Sequence, residues 1–156
     1  EDLVEVASRL QDVRFIWLGS INLWLIPRKI RDLVLYNHPE NVEFPGYFKG
    51  AVFQGAMSGS DAFFFPSYEE TEGIVVLEAL ASGQHVVLRD IPVYNGWIDE
   101  DSAELCHNVD EFVESLRKVL DGKVDKREAG YRVAESRSID DVALQLVKAY
   151  QTVLEM

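Results

Sequence analysis

Short apolar runs alternate with helix-like segments over much of this chain, and this alternation limits the folds open to it. The runs read VRFIWLG, NVEFPG, AFFFP, HVVL and AELC. Helical candidates lie between the first four of them, around PRKIRDLVLYN, near the small-residue stretch GAVFQGAMSGS and from Gly73 to Gly83. Such an alternation is typical of βαβ units that build a parallel sheet. The sequence therefore predicts an α/β fold: a doubly wound, Rossmann-like parallel sheet with helices on both faces.

From about Val109 onward the pattern changes to helix alone. Three segments there have helical character: DEFVESLRKVLDG, REAGYRVAES and SIDDVALQLVKAYQTVLEM. Ser138 precedes the last of them and is a suitable N-cap, because its hydroxyl can accept a bond from a free backbone N–H. We therefore expect C-terminal helices after the sheet.

The 156 residues, 47% of them hydrophobic, suffice for one compact core, so we expect residues 1–156 to form a single domain. The opening EDLVEVASRLQ has helical spacing without an N-cap before it, which favours an N-terminally incomplete fragment of a longer protein. In a doubly wound sheet of order 3-2-1-4-5-6 the strand before that helix is central. The strands RFIWLG and AFFFP then pair directly, or another chain or preceding residues lie between them. We expect a contribution from outside this sequence.

The formal charge of −12 opposes binding to nucleic acid, so no nucleic-acid partner is expected. Cys106 is the only cysteine, which excludes an internal disulfide and a cysteine-based zinc site and favours a buried small side chain. The three histidines have no evident nucleophile or metal partner, so no metal site is expected. No signal peptide is visible, and no apolar run approaches the ~20 residues of a bilayer span.

The loop SYEETEG, directly after AFFFP, is the first place to search for a ligand site. Ligands of open α/β sheets bind beyond the carboxyl ends of the strands, where loops lead into helices. The next helix opens near Gly73, and its free N–H groups and positive dipole end favour an anion. The acidic residues of the loop, Glu69 in particular, have the alternative role of complementing that dipole from solvent.

Glu78 is the one charged residue between Gly73 and Gly83. Helical spacing places it on one face with Ile74, Leu77 and Ala81, among residues that favour a core. A buried carboxylate needs a polar ligand, backbone donors or a proton, and a satisfied structural glutamate remains an alternative. Glu70 and Glu78 are eight residues apart, about 10–12 Å if helical. That separation disfavours a hydrolase with a retaining pair about 5–5.5 Å apart.

The stretch FFFPSYEETEGIVVLEALASGQHVVLRD resembles the signature of retaining family 4 glycosyltransferases of the GT-B fold. Glu70 and Glu78 have the family's seven intervening residues, and Pro66, Ser67 and Gly73 are in register. NVEFPGYF is similar to the strand and glycine before the nucleotide-base pocket. The stretch LASGQHVVLRDIPVYNGWIDEDSAELC resembles the sequences of bacterial enzymes that add a hexose to a diacylglycerol glycolipid.

The resemblance implies a donor site for a nucleotide sugar, UDP-glucose or UDP-galactose, that needs neither metal nor cofactor. It assigns Glu70, the catalytic candidate, to the sugar hydroxyls or the reacting face, and Glu78 to the ribose hydroxyls. The remaining donor-binding candidates are the backbone N–H groups that hold the diphosphate, the serine after the strand and the two base-pocket aromatics: Gly73, Ile74, Val75, Ser67, Tyr47 and Phe48. As an alternative, the two aromatics are ordinary core or surface residues.

The resemblance also implies a lipid or glycan acceptor, held by an N-terminal domain that this sequence lacks. We therefore expect the chain to bind donor but to be inactive alone. SINLWLIPRKIR joins an apolar cluster to the densest basic group of the chain, which favours either contact with anionic lipid headgroups or a core-packed loop with a solvated basic face. The expected location is cytoplasmic, peripheral on the inner face of the plasma membrane. A non-catalytic nucleotide-binding or protein-interaction module is the alternative function.

Overall fold

The computed structural model describes residues 1–155; Met156, the last residue of the predicted C-terminal helix, lies outside the described residues. The strands are β1 Phe15–Leu18, β2 Val42–Gly46, β3 Phe63–Phe65, β4 Val86–Arg89 and β5 Glu104–Cys106. The helices are α1 Asp2–Arg9, α2 Arg28–Leu35, α3 Ala51–Gly59, α4 Ile74–Ala81, α5 Val109–Leu120, α6 Arg127–Glu135 and α7 Ile139–Leu154, with a 3₁₀ turn at Pro92–Tyr94. Strands and helices alternate as far as β5, and only helices follow, as the sequence predicted.

The strands form two separate parallel sheets, one of β1 and β2 and one in the order β3-β4-β5. β1 and β3 do not pair, so direct pairing of these two strands is not the solution that the fold adopts. The rings of Phe15 and Phe64 face each other edge to face with centroids 6.1 Å apart. The two sheets therefore meet through side chains and not through backbone hydrogen bonds.

Two apolar clusters form the core, one on each side of β4. The first contains Val87 together with residues from α1 and α5, and Cys106 is fully buried in it as predicted. The second joins Leu88 to buried residues of α4 and to Tyr94 of the 3₁₀ turn. All four β4 residues are buried. Burial on both faces explains why this strand reads as a continuous apolar run and not as an alternating one.

The predicted inward face of α4 was wrong. Its buried residues are Val76, Ala79 and Leu80, whereas Ile74 is 61% exposed and Glu78 is exposed to solvent. Because the whole helix is apolar apart from Glu78, periodicity alone does not distinguish its two stripes. Tertiary packing determines which stripe of α4 is buried. Helix α6 packs closely against the stripe with Leu80, because a Cβ added to Gly130 of α6 would lie 2.6 Å from Leu80 Cδ2.

The ends of two C-terminal helices are capped by side chains. The hydroxyl of Ser138 accepts a hydrogen bond from the backbone N–H of Asp141 at 3.2 Å, which confirms the predicted N-cap of α7. Asn108 caps α5 in the same way through the N–H of Glu111. Among the helices of residues 1–155, none combines the length and the apolar character needed to cross a bilayer.

Candidate functional site

The loop between β3 and α4, residues 66–73, lies at the carboxyl edge of the three-stranded sheet. The Ser67 hydroxyl donates to Glu70 Oε1 at 2.7 Å, which fixes one oxygen of this half-buried carboxylate. The structure thus brings together two of the predicted site residues, Ser67 and Glu70. Ser67 orients Glu70, and the second carboxylate oxygen of Glu70 has no hydrogen-bond donor within residues 1–155.

The N-terminus of α4 presents free backbone donors. Gly73, the N-cap residue, has φ +78° in the left-handed region, and no side chain caps the helix. Within residues 1–155 the N–H groups of Gly73, Ile74 and Val75 have no protein acceptor. These N–H groups and the helix dipole make the position suitable for an anionic oxygen.

Tyr94 packs directly against Gly73, a contact that no pattern in the sequence indicates. A Cβ at position 73 would lie 2.9 Å from Tyr94 Cε1. The Tyr94 hydroxyl is buried and has no hydrogen-bond partner in the described part of the chain. Burial, together with the negative charge of Glu70, raises the pKa of Tyr94 to about 12, so the hydroxyl stays protonated at neutral pH.

Glu78 faces a groove of about 550 Å³ between α3 and α4. It is the fifth of eight α4 residues, so it lies near the middle of the helix. It is also exposed and not semi-buried, because it belongs to the solvent-facing stripe of α4. Its carboxylate therefore needs no internal partner and is available to a ligand in the groove.

Tyr47 and Phe48 line the same groove, at the turn that joins β2 to α3. Both are exposed, which excludes the core alternative for these aromatics. Sequence reasoning missed the other lining residues: Lys49, Gly50, Phe53, Gln54, Met57, Ala81 and Ser82. The helical spacing of residues 50, 53, 54 and 57 on α3 was the available signal, because it places them on one face.

The predicted residues thus form two adjoining parts. Glu78, Tyr47 and Phe48 lie at the groove, while Gly73 and Glu70 lie at the α4 N-terminus and the loop before it. Glu78 follows Ile74 by four positions, which is about 6 Å along the helix axis. An elongated ligand with polar groups at both ends can contact both parts. Within residues 1–155 no cluster of three or more histidine, cysteine or acidic residues is arranged to hold a metal ion.

The segment of residues 23–31 places large apolar side chains in solvent. Trp24 is 90% exposed and Leu25 is 80% exposed, so the core-packed alternative is wrong for these two residues. Arg28 and Lys29 follow at the start of α2. Each has an acidic neighbour: Arg28 Nε lies 3.5 Å from Asp32, and Lys29 Nζ lies 2.5 Å from Glu1.

A family profile described as "Glycosyl transferases group 1" matches residues 1–122. The chain belongs to this family. The match confirms the resemblance noted in the sequence and includes every predicted site residue. This glycosyl transferases group 1 chain is 46% identical, over 157 aligned positions, to the processive diacylglycerol alpha-glucosyltransferase of Acholeplasma laidlawii. That alignment covers 99% of this chain and 47% of the relative.

A second curated relative is the alpha-galactosylglucosyldiacylglycerol synthase of Streptococcus pneumoniae (strain ATCC BAA-255 / R6), 27% identical over 96 residues. This alignment covers 60% of the glycosyl transferases group 1 chain and 26% of the relative. The chain therefore spans less than half the length of the curated relatives that it matches. Both relatives are glycosyltransferases named for glycolipid synthesis.

Two solved structures share the fold of this family member. TarM superimposes with a TM-score of 0.73 at 20% identity, over 94% of this chain and 30% of TarM. The pneumococcal O-GlcNAc transferase GtfA, solved with UDP and GlcNAc, superimposes with a TM-score of 0.70 at 18% identity, over 99% of this chain and 32% of GtfA. Both are GT-B glycosyltransferases, which confirms the predicted α/β fold class.

Proposed function

We propose that this chain is the donor-binding half of a retaining hexosyltransferase that transfers a sugar from a UDP-hexose to a membrane glycolipid. One observation carries the proposal. The groove with Glu78, Tyr47 and Phe48 adjoins an uncapped helix N-terminus, so base, ribose and diphosphate have successive contacts along α4. The alternative of a non-catalytic nucleotide-binding or interaction module requires no sugar contact at Glu70.

The ribose contact in this proposal falls to Glu78. A carboxylate accepts hydrogen bonds from both ribose hydroxyls, and charge-assisted bonds of this kind are about twice as strong as neutral ones. The two aromatics beside it, Tyr47 and Phe48, offer faces against which a flat base can pack. UDP is the proposed nucleotide because GtfA, which shares the fold, was solved with UDP.

In this proposal the backbone N–H groups of Gly73, Ile74 and Val75 bind the diphosphate. Aligned peptide dipoles carry about half a positive charge at a helix N-terminus, which favours an anion there. The proposal includes no metal ion, because these N–H donors and the helix dipole face the charge of the diphosphate. The sugar then lies near the loop, where the free oxygen of Glu70 can accept from a sugar hydroxyl or face the reacting carbon.

The proposal also includes the acceptor of the sugar. A diacylglycerol glycolipid is suggested because both curated relatives are named for diacylglycerol glycolipids. Transfer requires the acceptor close to the anomeric carbon, and proximity contributes about 7–11 kcal/mol to lowering such a barrier. We propose that residues outside this sequence hold the acceptor, so that residues 1–156 bind donor without transferring sugar.

Contact with the inner face of the plasma membrane is proposed for Trp24 and Leu25. Exposed tryptophan and leucine beside Arg28 and Lys29 suit the interface of an anionic bilayer. Sedimentation of the full-length protein with vesicles that contain phosphatidylglycerol tests this contact. The double variant Trp24→Ala, Leu25→Ala should lose vesicle binding, whereas Tyr36→Ala, another exposed aromatic, should retain it. Equal binding by both variants would contradict the membrane contact.

Ligand titration tests the donor site. Glu78→Gln should weaken the affinity for UDP by about tenfold, because the amide that replaces the carboxylate forms weaker bonds to the ribose. Glu70→Gln should weaken binding of UDP-glucose more than binding of UDP, since its contact is with the sugar. Glu135→Gln, an exposed acid on α6, is the control and should change neither affinity.

Three outcomes would contradict the assignment. Equal losses for UDP and UDP-glucose in the Glu70 variant would remove its sugar contact. Unchanged UDP affinity in the Glu78 variant would remove the ribose contact. Sugar transfer by residues 1–156 alone would show that the chain is more than half of an active site.

A further inference from the structure

Arg89, the last residue of β4, is buried to 6% exposure although it is charged. Its Nε donates to the Pro66 carbonyl at 3.3 Å and its Nη1 to the His107 carbonyl at 2.9 Å. Its Nη2 pairs with the carboxylate of Asp2, the first residue of α1. A buried guanidinium needs a counter-charge and acceptors that match its fixed fork. Here the loop after β3, the residue after β5 and α1 supply them.

Tyr68 covers this guanidinium. Its ring centroid lies 3.9 Å from Arg89 Cζ, and its hydroxyl donates to Asp2 Oδ2 at 2.8 Å. The hydrogen bond to Asp2 raises the pKa of Tyr68, so the phenol remains a donor at neutral pH. The side chain of Tyr68 is therefore held at both its ring and its hydroxyl, although the residue is 67% exposed.

These contacts fix the first part of the loop that carries Glu70. Arg89 holds the carbonyl of Pro66 and the ring of Tyr68, and Ser67 lies between these two residues. The Ser67 hydroxyl in turn donates to Glu70. The side chains of the exposed residues that follow, Glu69, Thr71 and Glu72, make no hydrogen bond within residues 1–155, and the Glu69 carbonyl accepts one from the Ser67 hydroxyl at 3.2 Å. The order of the loop therefore depends on its anchored start.

We infer that Arg89 and Tyr68 are positioning residues that set the location of the Glu70 carboxylate. The inference rests on the proposed function, because it assumes that Glu70 acts on the donor sugar. Catalytic groups must stay within about 0.5 Å of the productive geometry, so a loosened loop start lowers turnover. Nucleotide affinity changes little, because Glu78 and the groove lie on α3 and α4, and Gly73 is held separately as the N-cap of α4 and against Tyr94.

NMR relaxation of the full-length protein tests the anchor without reference to sugar transfer, because it reports backbone motion even at amides that donate no hydrogen bond, as those of residues 67–72 do not within residues 1–155. In Tyr68→Leu and in Arg89→Lys, the order parameters of the backbone amides of residues 67–72 should fall from about 0.85, typical of a rigid backbone, to below about 0.6. The amides of α5 should be unchanged. Tyr131→Leu, which removes an exposed tyrosine of α6, is the control. Unchanged order parameters at residues 67–72 in Tyr68→Leu overturn the inference, even if Arg89→Lys does not fold.

Turnover tests the path to Glu70. Tyr68→Leu should lower kcat about tenfold while the Kd for UDP stays within about twofold, and Tyr68→Phe, which keeps the ring over Arg89, should retain most of kcat. If Tyr68 acts through Glu70, adding Tyr68→Leu to Glu70→Gln costs no further turnover, since coupled residues are not additive. Independent, multiplicative losses in the double variant overturn the positioning role.

The failure of the proposed function has a different signature. If Glu70→Gln keeps full turnover, the role of Glu70 in sugar transfer is wrong, and the positioning of a catalytic Glu70 falls with it. Lower order parameters of residues 67–72 in Tyr68→Leu would still show that the anchor orders the loop. If instead Glu70→Gln is inactive and the order parameters of residues 67–72 are unchanged in Tyr68→Leu, the proposed function stands and the positioning inference alone is overturned.

Discussion

Gly73 is under two separate constraints, one from its backbone and one from its neighbour. Its φ of +78° lies in the left-handed region, and a Cβ would lie 2.9 Å from the ring of buried Tyr94. We predict that Gly73→Ala lowers the free energy of unfolding by about 2–5 kcal/mol, the sum of backbone strain and overpacking. Denaturant titration measures this change.

Gly83, which follows the same helix, provides the matched control. Its φ is +70°, but a Cβ there would have no neighbour within 4 Å. Gly83→Ala should therefore cost only the backbone strain, about 1–2 kcal/mol. Equal losses at the two positions would show that the contact with Tyr94 adds nothing to the constraint at Gly73.

At the residue scale the sequence revealed what is local and missed what is not. The loop with Ser67 and Glu70, and the glycine at the helix start, follow one another in the chain, so their spacing predicted them. Tyr94 and Arg89 approach this loop only because β3 and β4 pair. No spacing within the sequence indicates such a contact before the strand order is known.

The partly buried imidazole of His85 directly precedes β4, and it makes the stability of the fold depend on pH. The side chain of His85 is 16% exposed. Burial lowers its pKa below the ordinary value of 6.5, the positive charge of Arg127 lowers it further, and Asp125 opposes both effects. The unfolded chain therefore binds a proton at this site more readily than the folded chain does.

The sign of the effect follows from linkage. A group that prefers to be neutral when folded contributes full stability above pH 6.5 and loses it as the pH falls through 6.5 towards the folded pKa. We predict that His85→Gln reduces the fall in Tm between about pH 7 and pH 5. An identical pH profile for wild type and His85→Gln would contradict the prediction.

At the element scale the apolar periodicity predicted all five strands and all seven helices within residues 1–155. It did not predict which stripe of α4 faces inward, because both stripes are apolar and α6 packs against only one. The groove could not be predicted from the sequence either. It forms where α3 meets α4, and a contact between two helices depends on tertiary packing that neither sequence segment encodes alone.

At the scale of the whole molecule, the strands are divided into two separate sheets. The separate sheets leave one edge of β1 and one edge of β3 without a backbone partner within residues 1–155. The order of strands predicted this gap, because a doubly wound sheet has its first strand at the centre. The sequence could not show what lies between the two edges.

We predict that a parallel strand from outside residues 1–156 pairs with both edges in the full-length protein. Successive N–H groups of a strand point to opposite sides, and the N–H groups of Phe15 and Phe63 already donate to Asn41 and His85. The N–H groups of Ile16 and Phe64 therefore point towards the gap. They should exchange slowly in the full-length protein and fast in residues 1–156 alone, because an unpaired edge is open to water. Phe15 and Phe63 are internal controls, since their amides should be protected in both. Fast exchange of Ile16 and Phe64 in the full-length protein would show that the two sheets remain separate there as well.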